Sequence, residues 1–251
     1  MEFARSRLEK QFSGLADIYW YDSDNMQPRI LVEKEKYVVV DKPPGMASTQ
    51  EGKIQDVNCV ENWLKFKFSW SENLTRGGVA HRLDKGTSGA LLVAKSEEYL
   101  DFLKRQFKNR LVEKTYLALC GGVTPKSGWI DAPLTRNIYS FGQFKVGIDG
   151  KQASTYFERL QVYRKEERDY SLLKIMPKTG RTHQIRAHLG YLGYRLVGDK
   201  TYGGQTDLLS RPFLHSYCLK WQGEDGQSEE IVCPLENDLE SVVKLLHVRT
   251  F

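Results

Sequence analysis

Two stretches of this chain set charged side chains beside glycine, at turns where a substrate can reach them. One is His81-Arg82-Leu83-Asp84-Lys85-Gly86-Thr87-Ser88-Gly89; the other is Lys178-Thr179-Gly180-Arg181-Thr182-His183-Gln184-Ile185-Arg186. A carboxylate in such a setting can take a proton or attack a carbon, and an arginine can hold a carboxylate or an anionic ligand. Plain readings fit the spacing as well. Asp84 before glycine is ordinary turn chemistry, Arg181 and Thr182 can simply open a helix, and His183 can be a surface or packed residue. Five histidines, at 81, 183, 188, 215 and 247, raise the question of a metal. His183 and His188 are five apart rather than four, with no carboxylate placed to join them, so no metal site is expected.

The elements that must position these residues follow from periodicity and turn signals. Ile30-Leu31-Val32 and Tyr37-Val38-Val39-Val40 read as strands joined by a charged turn, and Pro43-Pro44-Gly45 stops the second. After Asp56, a helix N-cap type, Val57, Val60, Trp63 and Leu64 recur at helical spacing to about Phe68. Residues 89–94 form a short buried strand, and Ser96 caps a helix with Leu100, Leu103 and Phe107 on one face. Lys104, Arg105, Lys108 and Arg110 make its other side basic. With Lys65, Lys67 and Arg76, they can follow phosphates or merely form a solvated face.

Strands are expected at 112–120, 155–163, 170–176 and 213–219, with 121–150 looping between the first two. Thr182 opens a helix carrying Ile185, Leu189 and Leu192, closed by Gly193, and Leu239, Val242, Val243 and Leu246 mark a last helix. Several connections are too short for helical crossovers, which predicts an α+β fold with a largely antiparallel mixed sheet flanked by helices.

Of the 251 residues, 40% are hydrophobic, 27% charged and 12% aromatic, which excludes a disordered, collagenous or membrane-spanning chain. Lysine and arginine number 37 against 32 acidic residues, a net charge of +5 that suits an RNA partner without requiring one. Cys59, Cys120, Cys218 and Cys233 form no C-x-x-C pair and read as reduced core residues. Residues 1–17 contain no apolar segment of the secretory type, so a cytoplasmic location is expected. The opening 29 residues read as an N-terminal extension, followed by one catalytic domain over 30–251.

HRLDKGTSGALLVAKS (81–96), VEKTY (112–116) and KTGRTHQIRAHLGYLGYRLVGDKTYGG (178–204), together with YVVVDKPPG (37–45), resemble the motifs of the RluA-type pseudouridine synthase family, in order and spacing, over roughly residues 30–219. Two departures stand out. Met46-Ala47-Ser48-Thr49 replaces a segment in which many relatives carry a valine-histidine pair, and no S4-type RNA-binding domain is expected before the catalytic region.

The resemblance implies the family's catalytic fold with a central RNA-binding cleft. It also implies isomerisation of uridine to pseudouridine in a structured tRNA or rRNA, without cofactor, membrane or obligatory protein partner, by a monomer. Asp84 is then the catalytic carboxylate, as nucleophile or as proton acceptor. A carboxylate beside an uncharged base tends toward its neutral form unless a cation adjoins it, and Arg181 is the expected cation. Tyr116 matches the tyrosine that stacks on the target base. Arg82 matches the residue that fills the stack after the base is extruded. An RNA-binding protein that has lost catalysis and a metal-assisted hydrolase are the alternatives; the joint presence of Asp84, Tyr116 and Arg181 speaks against the first.

Overall fold

The computed structural model describes residues 27–50, 58–140 and 142–250. Most of the expected N-terminal extension, and the Asp56 cap with Val57, lie outside them. The two leading strands are β1 (Arg29–Glu33) and β2 (Tyr37–Lys42), followed by α1 (Val60–Lys67), β3 (Ser88–Ala94) and α2 (Glu97–Lys108). Next come β4 (Glu113–Gly121), β5 (Ser127–Asp131), β6 (Leu134–Arg136), β7 (Phe144–Val146), β8 (Ser154–Lys165) and β9 (Arg168–Pro177). The chain continues through α3 (Gln184–Tyr191), β10 (Leu214–Gln222), β11 (Ser228–Val232), α4 (Asn237–Lys244) and β12 (His247–Val248).

Ten strands form one sheet, with a path β1-β2-β3-β10-β4-β9-β8-β12 and with β11 and β5 beside β10 and β8. Among the described strands only β3 and β10 pair in parallel, so the expected α+β architecture with a mostly antiparallel sheet is present. Both faces of its middle are covered, which is why β2 and β3 are apolar along nearly their whole length. Val38, Val40, Leu91, Val93, Tyr116, Ala118, Leu173 and Ile175 face α1 and α3 through Val60, Leu64, Ile185 and Leu189. The opposite face packs on α2 at one half, through Val39, Leu92, Leu100 and Leu103, and on α4 at the other, through Leu119, Leu172, Leu239 and Val242.

Ser96 caps α2 as expected, its Oγ accepting from the Tyr99 N–H at 3.1 Å. Gly89 allows the one parallel junction: its φ is 110°, and a Cβ there would lie 2.4 Å from the Ser216 carbonyl oxygen. Residues 121–150 are not simply a loop. They contain β5, which pairs with β8 from Ser127↔Glu158 to Asp131↔Ser154, and the small β6–β7 hairpin. Strands of three to five residues interrupted by Gly128, Pro133 and Gly147 carry little periodicity of their own; partners distant in sequence supply their order. The third predicted helix begins two residues later than expected, because His183 adopts a left-handed conformation (φ 55°) just before it. The four cysteines are free and buried.

Candidate active site

Asp84 opens a turn closed by the Thr87 N–H, which donates to the Asp84 carbonyl at 2.9 Å. Two buried side chains fix that turn, one from the end of β2 and one from the loop after it. The Ser48 hydroxyl donates to the Leu83 carbonyl at 3.0 Å and accepts from the Leu83 N–H at 2.8 Å. One hydroxyl thereby holds both polar backbone groups of the residue between Arg82 and Asp84. Lys42, fully buried, donates to the carbonyls of Pro43 at 2.9 Å, Met46 at 2.7 Å and Lys85 at 3.4 Å. Burial pulls the Lys42 ammonium down to about 7, against the opposing pull of Asp84.

The second stretch is organised by Gln184. Its Oε1 accepts from Thr179 Oγ1 at 2.6 Å and from the Arg181 N–H at 3.0 Å. Its Nε2 donates to the Ser154 carbonyl at 3.0 Å and to Thr155 Oγ1 at 2.9 Å. This bracing starts α3 so that Arg186, in its first turn, points at Asp84. Arg186 Nη1 lies 3.6 Å from Asp84 Oδ2, while its Nε and Nη2 donate to the two oxygens of Asp199 at 2.7 and 2.8 Å. The Arg186 and Asp199 side chains are 7% and 1% exposed. Burial works against the Arg186 charge, but Asp199 and Asp84 outweigh it and raise its pKa.

This arrangement corrects the expected charge partner of Asp84. Arg181 lines the cleft, but its Nε donates to the Gln152 carbonyl at 3.1 Å. Of the two arginines in the GRTHQIR run, Arg186 is the one within ion-pair distance of Asp84. The two arginines lie five positions apart across a loop-to-helix junction, so the direction of each depends on where the helix begins. Asp199, thirteen residues further on, carries no periodic signal of its role.

Tyr116 is buried near Asp84; burial first, then the carboxylate, raises its phenol so that it stays protonated at neutral pH. His183, expected as a plain surface or packed residue, comes with its Nε2 within 3.9 Å of Asp84 Oδ2. Burial lowers the His183 pKa despite that carboxylate, leaving a neutral imidazole beside Asp84. The Tyr202 ring adjoins His183 and lies 5.0 Å from the Arg186 guanidinium carbon. Its hydroxyl donates to the Phe144 carbonyl at 3.0 Å and accepts from the Phe144 N–H at 2.9 Å, tying the β6–β7 hairpin to the site. Arg82 is exposed at the cleft edge.

His188 is turned away, with Nδ1 at 2.9 Å from Thr155 Oγ1 and Nε2 at 2.9 Å from the Ala132 carbonyl. Among the described residues no group of three or more His, Cys, Asp or Glu is placed to hold a metal ion. No helix among them is long and apolar enough to cross a membrane.

Arg82, Asp84, Tyr116, Arg181 and His183 line a cleft of about 500 Å³. Among the described residues Asp84 is its only acidic lining residue, against Arg82, Lys108, Arg110, Lys114, Lys178 and Arg181. The outer part of the basic surface is locally compensated: Lys104 pairs with Asp101 at 3.2 Å and Lys65 with Glu61 at 2.8 Å. The arrangement can bind a polyanion, bury an uncharged ring against Tyr116, and present one carboxylate with a fixed cationic neighbour to it.

Residues 36–191 match the model of the RNA pseudouridylate synthase family. An "uncharacterized RNA pseudouridine synthase" of Chloroflexus aurantiacus is 40% identical over 177 residues, covering 69% of this chain and 55% of that protein. The ribosomal large subunit pseudouridine synthase D of Borreliella burgdorferi is 36% identical over 205 residues, 78% of this chain and 61% of its own length. This chain thus spans less than two thirds of both relatives. Among solved structures, human RNA pseudouridylate synthase domain containing 1 aligns with a TM-score of 0.72 and 27% identity, over 93% of this chain and 92% of that one.

Proposed function

Because this chain belongs to the RluA-type RNA pseudouridine synthases, we propose that it isomerises uridine to pseudouridine within structured RNA, with Asp84 as the essential carboxylate. The N1–C1′ glycosidic bond breaks, the uracil turns, and a C5–C1′ bond forms; C5 loses a proton, N1 gains one, and nothing is oxidised. The observation that carries this reading is the meeting of three separate motifs at one cationic cleft: Asp84 and Tyr116 line it, and Arg186 lies 3.6 Å from Asp84. The intact Asp84–Arg186 contact also favours an active enzyme over an RNA-binding protein that has lost catalysis.

Asp84 acts on the nucleotide as nucleophile or as proton acceptor, and either role requires the carboxylate. Arg186, held in register by Asp199, compensates its charge in a site from which the bound base excludes water. Tyr116 offers its ring to the uracil face. A uridine in a stem or stacked loop must first be extruded, at a cost of about a few kcal/mol. Arg82, two residues from Asp84 and exposed at the rim, fills the vacated stack, and Arg181 contacts the RNA from the opposite lip.

The substrate is a stem-loop of rRNA or tRNA, and the name of the Borreliella burgdorferi relative points first to the large ribosomal subunit. The unit from residue 30 onward carries the activity as a cytoplasmic monomer. Pseudouridine maps of total RNA from cells with and without the gene test the reading. One or a few uridines should lose their modification in the deletion and regain it when that RNA is treated with purified protein. Identical maps, with no modification by the purified protein, would overturn it.

A further inference from the structure

We propose that Lys114 and Lys178 form a subsite for the backbone phosphodiester that flanks the extruded nucleotide. The inference deepens the reading of this cleft as an RNA-modifying site and rests on it. Lys114 and Tyr116 are two residues apart in β4, so both project from the same face of the strand, about 7 Å apart along it. That spacing is comparable with the reach from a nucleobase to its adjoining phosphate. With the base against Tyr116, a flanking phosphate falls beside Lys114.

The surroundings of Lys114 call for an anion. Its ammonium has three N–H donors and, among the described residues, one acceptor, the Thr179 carbonyl at 3.3 Å. Lys114 lines the cleft, and Gly180, where a Cβ would sit 3.9 Å from Lys114 Nζ, puts no side chain between the ammonium and a ligand there. No carboxylate pairs with Lys108, Arg110, Lys114 or Lys178 among the described residues, although all four line the cleft.

Burial first, then repulsion from Lys178, lowers the Lys114 pKa to about 8. His81, another titratable neighbour, is itself pushed down to about 3 by burial and by Lys114, so it adds no charge near neutrality. A carbonyl of uracil would leave two like charges facing each other. A phosphodiester oxygen compensates both, with charge-assisted hydrogen bonds.

The test titrates full-length protein with uridine, uridine 5′-monophosphate and uridine 3′-monophosphate, by calorimetry or ligand-observed NMR. Wild type should bind one of the monophosphates at least about tenfold tighter than uridine. Lys114→Met should abolish that preference with its circular dichroism and melting unchanged. Lys178→Met, at an exposed position, should reduce it in part, and Lys114→Arg should retain it. The preference should fade above about pH 8 in wild type, where Lys114 loses its proton, and persist there in Lys114→Arg.

Equal binding of all three ligands to wild type, absence of binding by any of them, or a preference that survives Lys114→Met would overturn the subsite. Asp84→Asn should leave the preference intact. A phosphate preference without pseudouridine formation would therefore uphold the subsite while removing the enzymatic reading.

Discussion

On one side of the cleft, Arg186 is clamped by both oxygens of Asp199 and faces Asp84, so its charge is answered by the protein itself. On the other side, Lys108, Arg110, Lys114 and Lys178 have no carboxylate partner among the described residues. The first region is costly to take apart, because removing one member of a buried pair strands the other. The second is incomplete until an anion arrives. Chemistry that needs fixed geometry belongs on the first side, and binding that must begin and end with each RNA belongs on the second.

Substituting Arg186 should break this contrast most severely. Arg186→Met leaves Asp199 buried without its partner, which should cost about 3–5 kcal/mol of stability. Turnover should fall by about 10²-fold or more, through loss of a preorganised charge beside Asp84. Arg181→Met, on an arginine whose side chain is tied among the described residues only to the Gln152 carbonyl, should keep wild-type stability and lose mainly RNA affinity. Thermal melts and single-turnover rates on the two variants check the ranking. Equal destabilisation would mean that the two arginines do not divide the labour in this way.

Ser48→Ala should have an intermediate effect. It removes both hydrogen bonds to Leu83 at once, costing about 1–3 kcal/mol. A displaced Asp84 should lower kcat by about tenfold or more, because small misplacements of a reacting group are expensive. KM should hardly change, since Ser48 is buried and its hydroxyl meets the Leu83 backbone rather than a lysine or arginine side chain of the lip. Ser48→Thr, which keeps the hydroxyl, should recover much of kcat. A defect confined to KM would contradict a positioning role.

Arg82→Ala should have the smallest effect on an easy substrate and a larger one on a hard substrate. Its expected work is to offset unstacking, which is cheaper for a mismatched or bulged uridine. Single-turnover modification at saturating enzyme should therefore fall more on a paired stem-loop than on the same RNA with a bulged target. Equal losses on both would leave Arg82 as an ordinary backbone contact.

These residues were legible in the sequence to different degrees. The leading strands, β3, the Ser96 cap and the two charged glycine-bearing stretches follow from local pattern, because apolar alternation and turn chemistry act over a few residues. Asp84, Tyr116 and Arg82 line one cleft, as their motifs imply. The cation opposite Asp84 was not legible, since choosing Arg186 over Arg181 requires the left-handed His183 and the Gln184 bracing that start α3 where they do. Ser48 and Asp199 act across 35 and 13 residues, and β5 to β7 take their order from pairing rather than periodicity. Tertiary contacts decided each of these.

The central claim is that the Asp84 carboxylate does chemistry and contributes little to holding RNA. It is tested most directly by the near-isosteric Asp84→Asn variant, on an RNA carrying the mapped uridine with tritium at C5. Single-turnover tritium release is followed in parallel with filter binding of the same RNA. The account predicts no detectable release together with affinity close to wild type. Release at a rate near wild type, or a loss of binding that accounts for the whole loss of turnover, would contradict it.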